Sequence, residues 1–169
     1  MSNLMVVKGP ICPPEEAYTV LEGLDYPLIK EGLYEAVLIG YETSTRYSKR
    51  SKDNKFVLGG KIYLHFHVDP YKNAGLSGSK VIIFMPLNAK TVKLPAGKNG
   101  RFTAGKRSNY GKLIRRFFGV GTEAARKTPA AFMNKLFTVR VKTVTSDEKQ
   151  QPLPRELQYS IVAEIIDYA

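Results

Sequence analysis

Two segments in the middle of the chain place aromatic residues among lysines and arginines. In the first, Tyr47 lies inside a basic run that offers no apolar neighbour to bury it against. In the second, Phe102 stands among glycines and cations, where an exposed ring is costly unless the core or a bound base covers it. Single-stranded nucleic acid requires both residue types, because cations contact its phosphates and flat rings stack on its unpaired bases.

A third group lies on the most regular element of the sequence. Residues 61–68 alternate strictly between apolar and polar side chains, which is typical of a strand with one face in the core. We expect the polar face to form a platform on which Tyr63 stacks on a base or, alternatively, packs beneath a loop. The predicted nucleic-acid-binding residues are Arg46, Tyr47, Lys49, Arg50, Lys52, Lys61, Tyr63, His65, Lys93, Lys98, Arg101, Phe102, Lys106, Arg107, Arg140 and Lys142.

The residue types and motifs of the same sequence argue against catalysis. Residues 100–106 match the start of a phosphate-binding loop, but Arg107 stands where a serine or threonine must hold magnesium. The two histidines and Asp69 lie on one face of a strand, so their side chains point in parallel and do not converge on a metal. Cys12 is the only cysteine, so a cysteine-based zinc site is excluded. Residues 41–116 contain only three acids, too few for a metal-dependent nuclease. We predict no catalytic residue, no metal site and no cofactor.

The positive charge of the chain is concentrated in its middle. The 169 residues include 26 Lys+Arg and 15 Asp+Glu, a net charge of +11. Residues 1–40 have a net charge of −4, residues 41–116 of +14 and residues 117–169 of +1. A basic block inside a folded region makes a fixed positive surface that attracts a polyanion.

The composition suits one globular domain in a reducing compartment. The chain is 43% hydrophobic, and no apolar run approaches the roughly 20 residues of a membrane span. The first residues lack the charged-then-apolar layout of a signal peptide. We therefore expect a cytoplasmic protein of a bacterial cell or a phage-infected host, with no membrane partner.

The order of the predicted elements indicates a mainly β fold. Residues 1–30 are expected to form an arm, with at most a short helix near residues 15–21, and residues 31–169 one domain. A helix at 108–118 ends at Gly119, and a second short helix after Thr128 buries Phe132, Met133 and Leu136. Residues 42–55 and 88–107 are interpreted as loops. The five strands are expected at 33–41, 61–68, 80–87, 137–145 and 158–168.

Three strands, a helix and two more strands is the layout of the OB-fold, a small, partly open five-stranded barrel. A five-stranded sheet packed on two helices would produce the same order, so this alternative stays open.

The chain resembles the OB-fold single-stranded DNA-binding proteins of bacteriophages and mobile bacterial elements. The resemblance rests on the Glu-Gly-Leu-Tyr-Glu-Ala sequence at 31–36, the alternating sequence at 61–68 and Tyr-Ser-Ile-Val at 159–162, and it spans about residues 31–168. It implies sequence-independent DNA binding in replication or recombination, centred on strands two and three and their flanking loops.

One feature of that family has no counterpart at the end of this chain. Many such proteins carry an acidic tail that recruits partners, whereas here the sequence stops directly after the last predicted strand, 158–168, so we expect no such tail. Either recruitment is absent, or the acidic residues of the arm substitute for the tail.

Three further hypotheses remain open from the sequence. The chain is alternatively an RNA- or duplex-binding module, or a phage-type protein that binds an acidic host protein through its basic face. An enzyme acting on nucleic acid is the weakest hypothesis. Homo-oligomers are compatible with any of them.

Overall fold

The structure, a computed structural model, describes residues 27–50, 56–69, 81–122, 127–147 and 149–168. Within these ranges, the side chains of residues 46–50, 56–59 and 168 are not described. The predicted helix near residues 15–21 lies outside the described residues.

The described chain is mainly β, as predicted. One helix, α1 (Asn109–Phe118), and two short 3₁₀ turns, Pro129–Phe132 and Arg155–Leu157, accompany the strands. The strands are β1 (Gly32–Arg50), β2 (Phe56–Val68), β3 (Val81–Ala89), β4 (Thr91–Val92), β5 (Gly97–Lys98), β6 (Phe102–Thr103), β7 (Leu136–Val144) and β8 (Tyr159–Tyr168). The five predicted strands and the helix of residues 108–118 are therefore present in the predicted order.

The long strands form one sheet in the order β3-β2-β1-β7-β8, and β5 pairs with β1. Strands β4 and β6 form a separate antiparallel pair. Among the described residues, no strand pairing joins the two ends of the large sheet, β3 and β8. A barrel closed by hydrogen bonds is therefore not confirmed.

Three segments differ from the sequence-based expectation. β1 continues to Arg50, so the prediction of a loop is wrong for residues 42–50. The second connection is also not a plain loop, because β4, β5 and β6 lie within it. The second helix is a 3₁₀ turn that buries Phe132, but Leu136 is 40% exposed. The prediction was wrong there because Leu136 begins β7, where the next residue, Phe137, takes the buried face.

The chain forms two compact units, and β1, β2 and β3 each contribute residues to both. Unit 1 comprises Met1–Val37, Phe66–Phe84 and Leu136–Ala169. Unit 2 comprises Leu38–His65 and Met85–Lys135.

Unit 1 is built on antiparallel pairing. β7 pairs with the first residues of β1, from Gly32 to Val37, and along its length with β8. Its core contains Phe66 and Phe137, whose rings meet edge to face at 6.0 Å between centroids. The chain before β1 is tied to β8 by hydrogen bonds from the Ser160 amide to the Pro27 carbonyl and from the Ile29 amide to the Ser160 hydroxyl.

Unit 2 depends on two close backbone approaches at glycines. A Cβ atom at Gly60 would overlap the Ser44 carbonyl oxygen and the Val92 side chain, and one at Gly100 would overlap the Thr43 hydroxyl. Because Val92 lies in β4, the glycine at 60 allows that short strand to pack directly on the backbones of β1 and β2.

No helix within the described ranges is long and apolar enough to cross a membrane.

Candidate nucleic-acid interface

A groove of about 760 Å³ lies within unit 2, and every residue that lines it belongs to that unit. None of the described residues lining it is acidic. The groove combines three aromatic rings with five cations, and its remaining wall is mostly glycine and other small residues. The rings are those of Tyr41, Phe102 and Tyr110, and the cations are Lys93, Arg101, Lys106, Arg115 and Lys127.

The three rings form one cluster with Phe102 in its centre. The Phe102 ring meets the Tyr41 ring at 6.2 Å and 77°, and the Tyr110 ring at 5.1 Å and 84°. Both contacts are edge-to-face, the favourable arrangement for aromatic pairs. Tyr41 and Phe102 are half-buried and retain surface toward the groove, whereas Tyr110 is buried.

Tyr110 anchors the cluster. Its hydroxyl donates a hydrogen bond of 2.9 Å to the Lys127 carbonyl oxygen. Burial, followed by electrostatic interaction with Tyr41, raises the pKa of Tyr110, and burial also raises the pKa of Tyr41. Both phenols therefore stay neutral at physiological pH, and neither opposes a bound phosphate with a negative charge.

Helix α1 positions the cationic side of the groove. Ser108 caps the helix by accepting a hydrogen bond of 3.0 Å from the Gly111 amide, and Gly119 ends it with φ 78°. Tyr110, Leu113 and Ile114 form its buried face. Arg115, one helical turn after Gly111, lines the groove and donates a hydrogen bond of 2.8 Å to the Lys106 carbonyl. The predicted helix and its glycine stop are confirmed.

The segment that mimics a phosphate-binding loop forms one wall of this groove. All of residues 100–106 line it, and the chain enters α1 shortly afterwards. The Ser108 hydroxyl donates a hydrogen bond of 2.6 Å to the Gly105 carbonyl, which fixes the turn between the wall and the helix.

Four of the predicted binding residues come together here: Lys93, Arg101, Phe102 and Lys106. Lys98 and Arg107 belong to unit 2 and are exposed, but they do not line the groove. The side chains predicted in the first basic segment, Arg46, Tyr47, Lys49, Arg50 and Lys52, lie outside the described part of the chain.

The predicted platform on β2 is wrong. Tyr63 is 3% exposed and His65 7% exposed, so neither ring is presented to a base. The alternation of side chains along β2 was identified correctly, but the middle of its second face is also buried. The sequence did not reveal this, because tyrosine and histidine combine an apolar ring with a polar group and occur on both buried and exposed faces. Burial lowers the pKa of His65 from 6.5 to about 4. Lys61 is half-buried on the same strand.

Arg140 and Lys142 are exposed on β7 in unit 1. Arg140 forms an ion pair of 3.2 Å with Glu164 on β8, which partly neutralises its charge. The structure therefore does not place these two predicted residues in the groove.

Sequence reasoning missed four groove residues. Tyr110 lies on the buried face of α1 and also lines the groove. Arg115 is an exposed cation of the same helix, so its position within the predicted helix at 108–118 was the available signal. Tyr41 and Lys127 gave no signal, because only the tertiary structure brings them to the segment of residues 100–106.

No three histidine, cysteine, aspartate or glutamate side chains in the described ranges are grouped so that they could hold a metal ion. No protein-family model, curated protein or solved structure matches the chain significantly. The features of the chain that bear on function are therefore those of the groove itself.

Proposed function

We propose that the protein binds single-stranded DNA, largely independently of sequence, and protects or presents strands in replication or recombination. The observation that carries this proposal is the coincidence of three rings, five cations and no described acid in one groove of unit 2. Lysine and arginine contact phosphates of any sequence, and aromatic rings stack on any base. In this proposal the protein is not an enzyme and requires no cofactor.

The charge of the two units supports the same assignment. In the sequence, unit 2 contains 18 Lys+Arg and 3 Asp+Glu, a net charge of +15. Unit 1 contains 8 Lys+Arg and 12 Asp+Glu, a net charge of −4, and the two values together give the +11 of the chain. A positive potential confined to the unit that contains the groove favours entry of a polyanion there.

The half-buried rings favour a single strand over a duplex. Phe102 and Tyr41 can contact a base only through its flat face or edge, and in a duplex the faces are stacked and the pairing edges are occupied.

We further infer that the sheet is an OB-type, partly open barrel. Two observations support this inference: the strand order places β3 and β8 at opposite ends of the sheet, and yet Phe84 on β3 stacks on Tyr159 on β8. Their centroids are 5.9 Å apart and their planes 29° apart. Side-chain contact between the two terminal strands is expected where a barrel is closed by packing without a hydrogen-bonded ladder.

The proposal is tested by fluorescence anisotropy with a labelled oligothymidine, in competition with unlabelled RNA and duplex DNA of equal length. We expect oligothymidine to bind and the duplex to compete at least about tenfold less well, because it offers no unpaired bases. Competition by the duplex as strong as that of unlabelled oligothymidine would contradict stacking in the groove. Absence of any binding, together with capture of an acidic protein by the same chain, would favour the protein-binding alternative.

A further inference from the structure

An apolar tip projects from unit 2 beside the groove. Residues 94–96, Leu-Pro-Ala, are all exposed, and Leu94 is 69% exposed. The tip follows directly on Lys93, which lines the groove. Leucine and proline are among the side chains that proteins insert between base steps to unstack them.

Both ends of the tip are held by hydrogen bonds. On one side the Lys93 amide donates to the Arg101 carbonyl at 2.8 Å. On the other side Gly97 pairs with Thr43 of β1, and the Asn99 amide donates to the Tyr41 carbonyl at 3.1 Å. The tip therefore keeps its position relative to Tyr41 and Arg101 of the groove, and this reduces the entropy cost of inserting it into a ligand.

The charge around the tip favours a polyanion as its target. In the sequence, residues 88–107 contain six lysines and arginines and no acid. Another exposed leucine, Leu33 on β1, is 56% exposed but lies between Glu31 and Glu35, which would repel phosphate. The two leucines are comparably exposed and differ in the charge around them.

We propose that Leu94 inserts between two adjacent bases of the bound strand and unstacks them next to the nucleotides held in the groove. This inference rests on the proposed DNA binding and adds an activity to it, the local unstacking of the strand. A lipid surface would also tolerate lysines around an apolar tip. However, one leucine with its two small neighbours offers far less apolar area than stable membrane anchoring requires.

The test uses a single-stranded oligonucleotide with two adjacent 2-aminopurines, whose fluorescence rises when they unstack. We expect the wild-type protein at saturation to raise the fluorescence. Leu94→Ser should bind the oligonucleotide within about threefold of wild type, because the groove is unchanged, yet lose most of the rise. Leu33→Ser is the matched control and should behave as wild type.

The outcomes separate the two proposals. A full fluorescence rise with Leu94→Ser, or binding by the wild type without any rise, would overturn the inserted leucine and leave DNA binding intact. Failure of the wild type to bind the oligonucleotide would overturn both. Binding to phosphatidylserine-containing vesicles that Leu94→Ser abolishes, with the fluorescence rise unaffected, would assign the tip to lipid and contradict the proposal.

Discussion

The two units of this protein use the same residue types for different purposes. In unit 1 the aromatic pairs Phe66–Phe137 and Phe84–Tyr159 are buried, and the cation Arg140 is paired with Glu164. In unit 2 the half-buried rings of Tyr41 and Phe102 line a groove together with five cations. The two units therefore differ in the accessibility of their rings, and no described residue that lines the groove of unit 2 is acidic.

The two units also differ in architecture. In unit 1, β7 pairs with β1 from Leu136 to Val141 and with β8 from Phe137 to Val144, with two register shifts against β8. Unit 2 contains residues 38–50 of β1 and 56–65 of β2 and, in addition, three two-residue strands, a ten-residue helix and the close glycine contacts at Gly60 and Gly100. The groove is lined by residues of β6 and the helix together with Tyr41 of β1.

The largest effect on stability is expected from adding a side chain at Gly60, where the backbone lies against its neighbours without room for a Cβ atom. Gly60→Ala should destabilise the protein by roughly 4 kcal/mol, because the new methyl group meets the fixed Ser44 carbonyl as well as Val92. Gly40→Ala is the matched control, since nothing lies within 4 Å of its Cβ position. Urea unfolding followed by circular dichroism measures both. Equal stabilities would show that the contact at Gly60 relaxes freely.

The next largest effect is on the pH dependence of stability, and it distinguishes the two histidines, one in each unit. His65 in unit 2 is buried and its pKa is lowered from 6.5 to about 4. Below pH 6.5 the unfolded chain binds a proton that the folded chain resists, so the free energy of unfolding falls as the pH falls. The loss between pH 7 and 4 from this residue is about 3 kcal/mol.

Variants at both histidines isolate that loss. His65→Leu should remove its share of the acid destabilisation, whereas His67→Leu in unit 1 should retain it. Urea unfolding at pH 7, 5.5 and 4 provides the comparison. An unchanged pH dependence in His65→Leu would show that His65 is protonated in the folded protein.

The third effect concerns the rings and bears on binding. Phe102→Leu keeps an apolar side chain in the cluster but removes the flat face, and we expect it to weaken oligothymidine binding by about 2 kcal/mol, or roughly thirtyfold. Tyr34→Leu, at a half-buried ring of β1 in unit 1, should leave the affinity unchanged. Equal losses in the two variants would remove the distinction between the units.

Sequence patterns predicted the positions of the strands and the helix better than the burial of their side chains. The alternation of residues 61–68, the strand predicted at 80–87 and the helix predicted at 108–118 all correspond to observed elements, because hydrophobic periodicity is a local property. The burial of Tyr63 and His65 was not predictable, since what covers the second face of β2 is decided by tertiary packing.

The candidate site was predicted in part for the same reason. The segment with Phe102 was found because its aromatic and basic residues are adjacent in sequence. Tyr41 and Lys127 reach the same groove from distant positions, and no local pattern marks them. The division into two units was also not visible, because β1, β2 and β3 each pass through both.

In the proposed complex, the cations of unit 2 contact the phosphates of the strand. If all five groove cations each neutralise one phosphate, the logarithm of the oligothymidine affinity should fall with the logarithm of salt concentration with a slope of about −3.5. That slope corresponds to a loss of roughly a hundredfold between about 50 and about 200 mM salt.

The most direct measurement is this slope in two matched triple variants. Replacing Lys93, Arg101 and Lys106 with glutamine should reduce its magnitude by about 2, whereas the same replacement of Arg140, Lys142 and Lys149 in unit 1 should leave it unchanged. Equal reductions in the two variants, or a reduction only in the unit 1 variant, would contradict the assignment of the binding surface to unit 2.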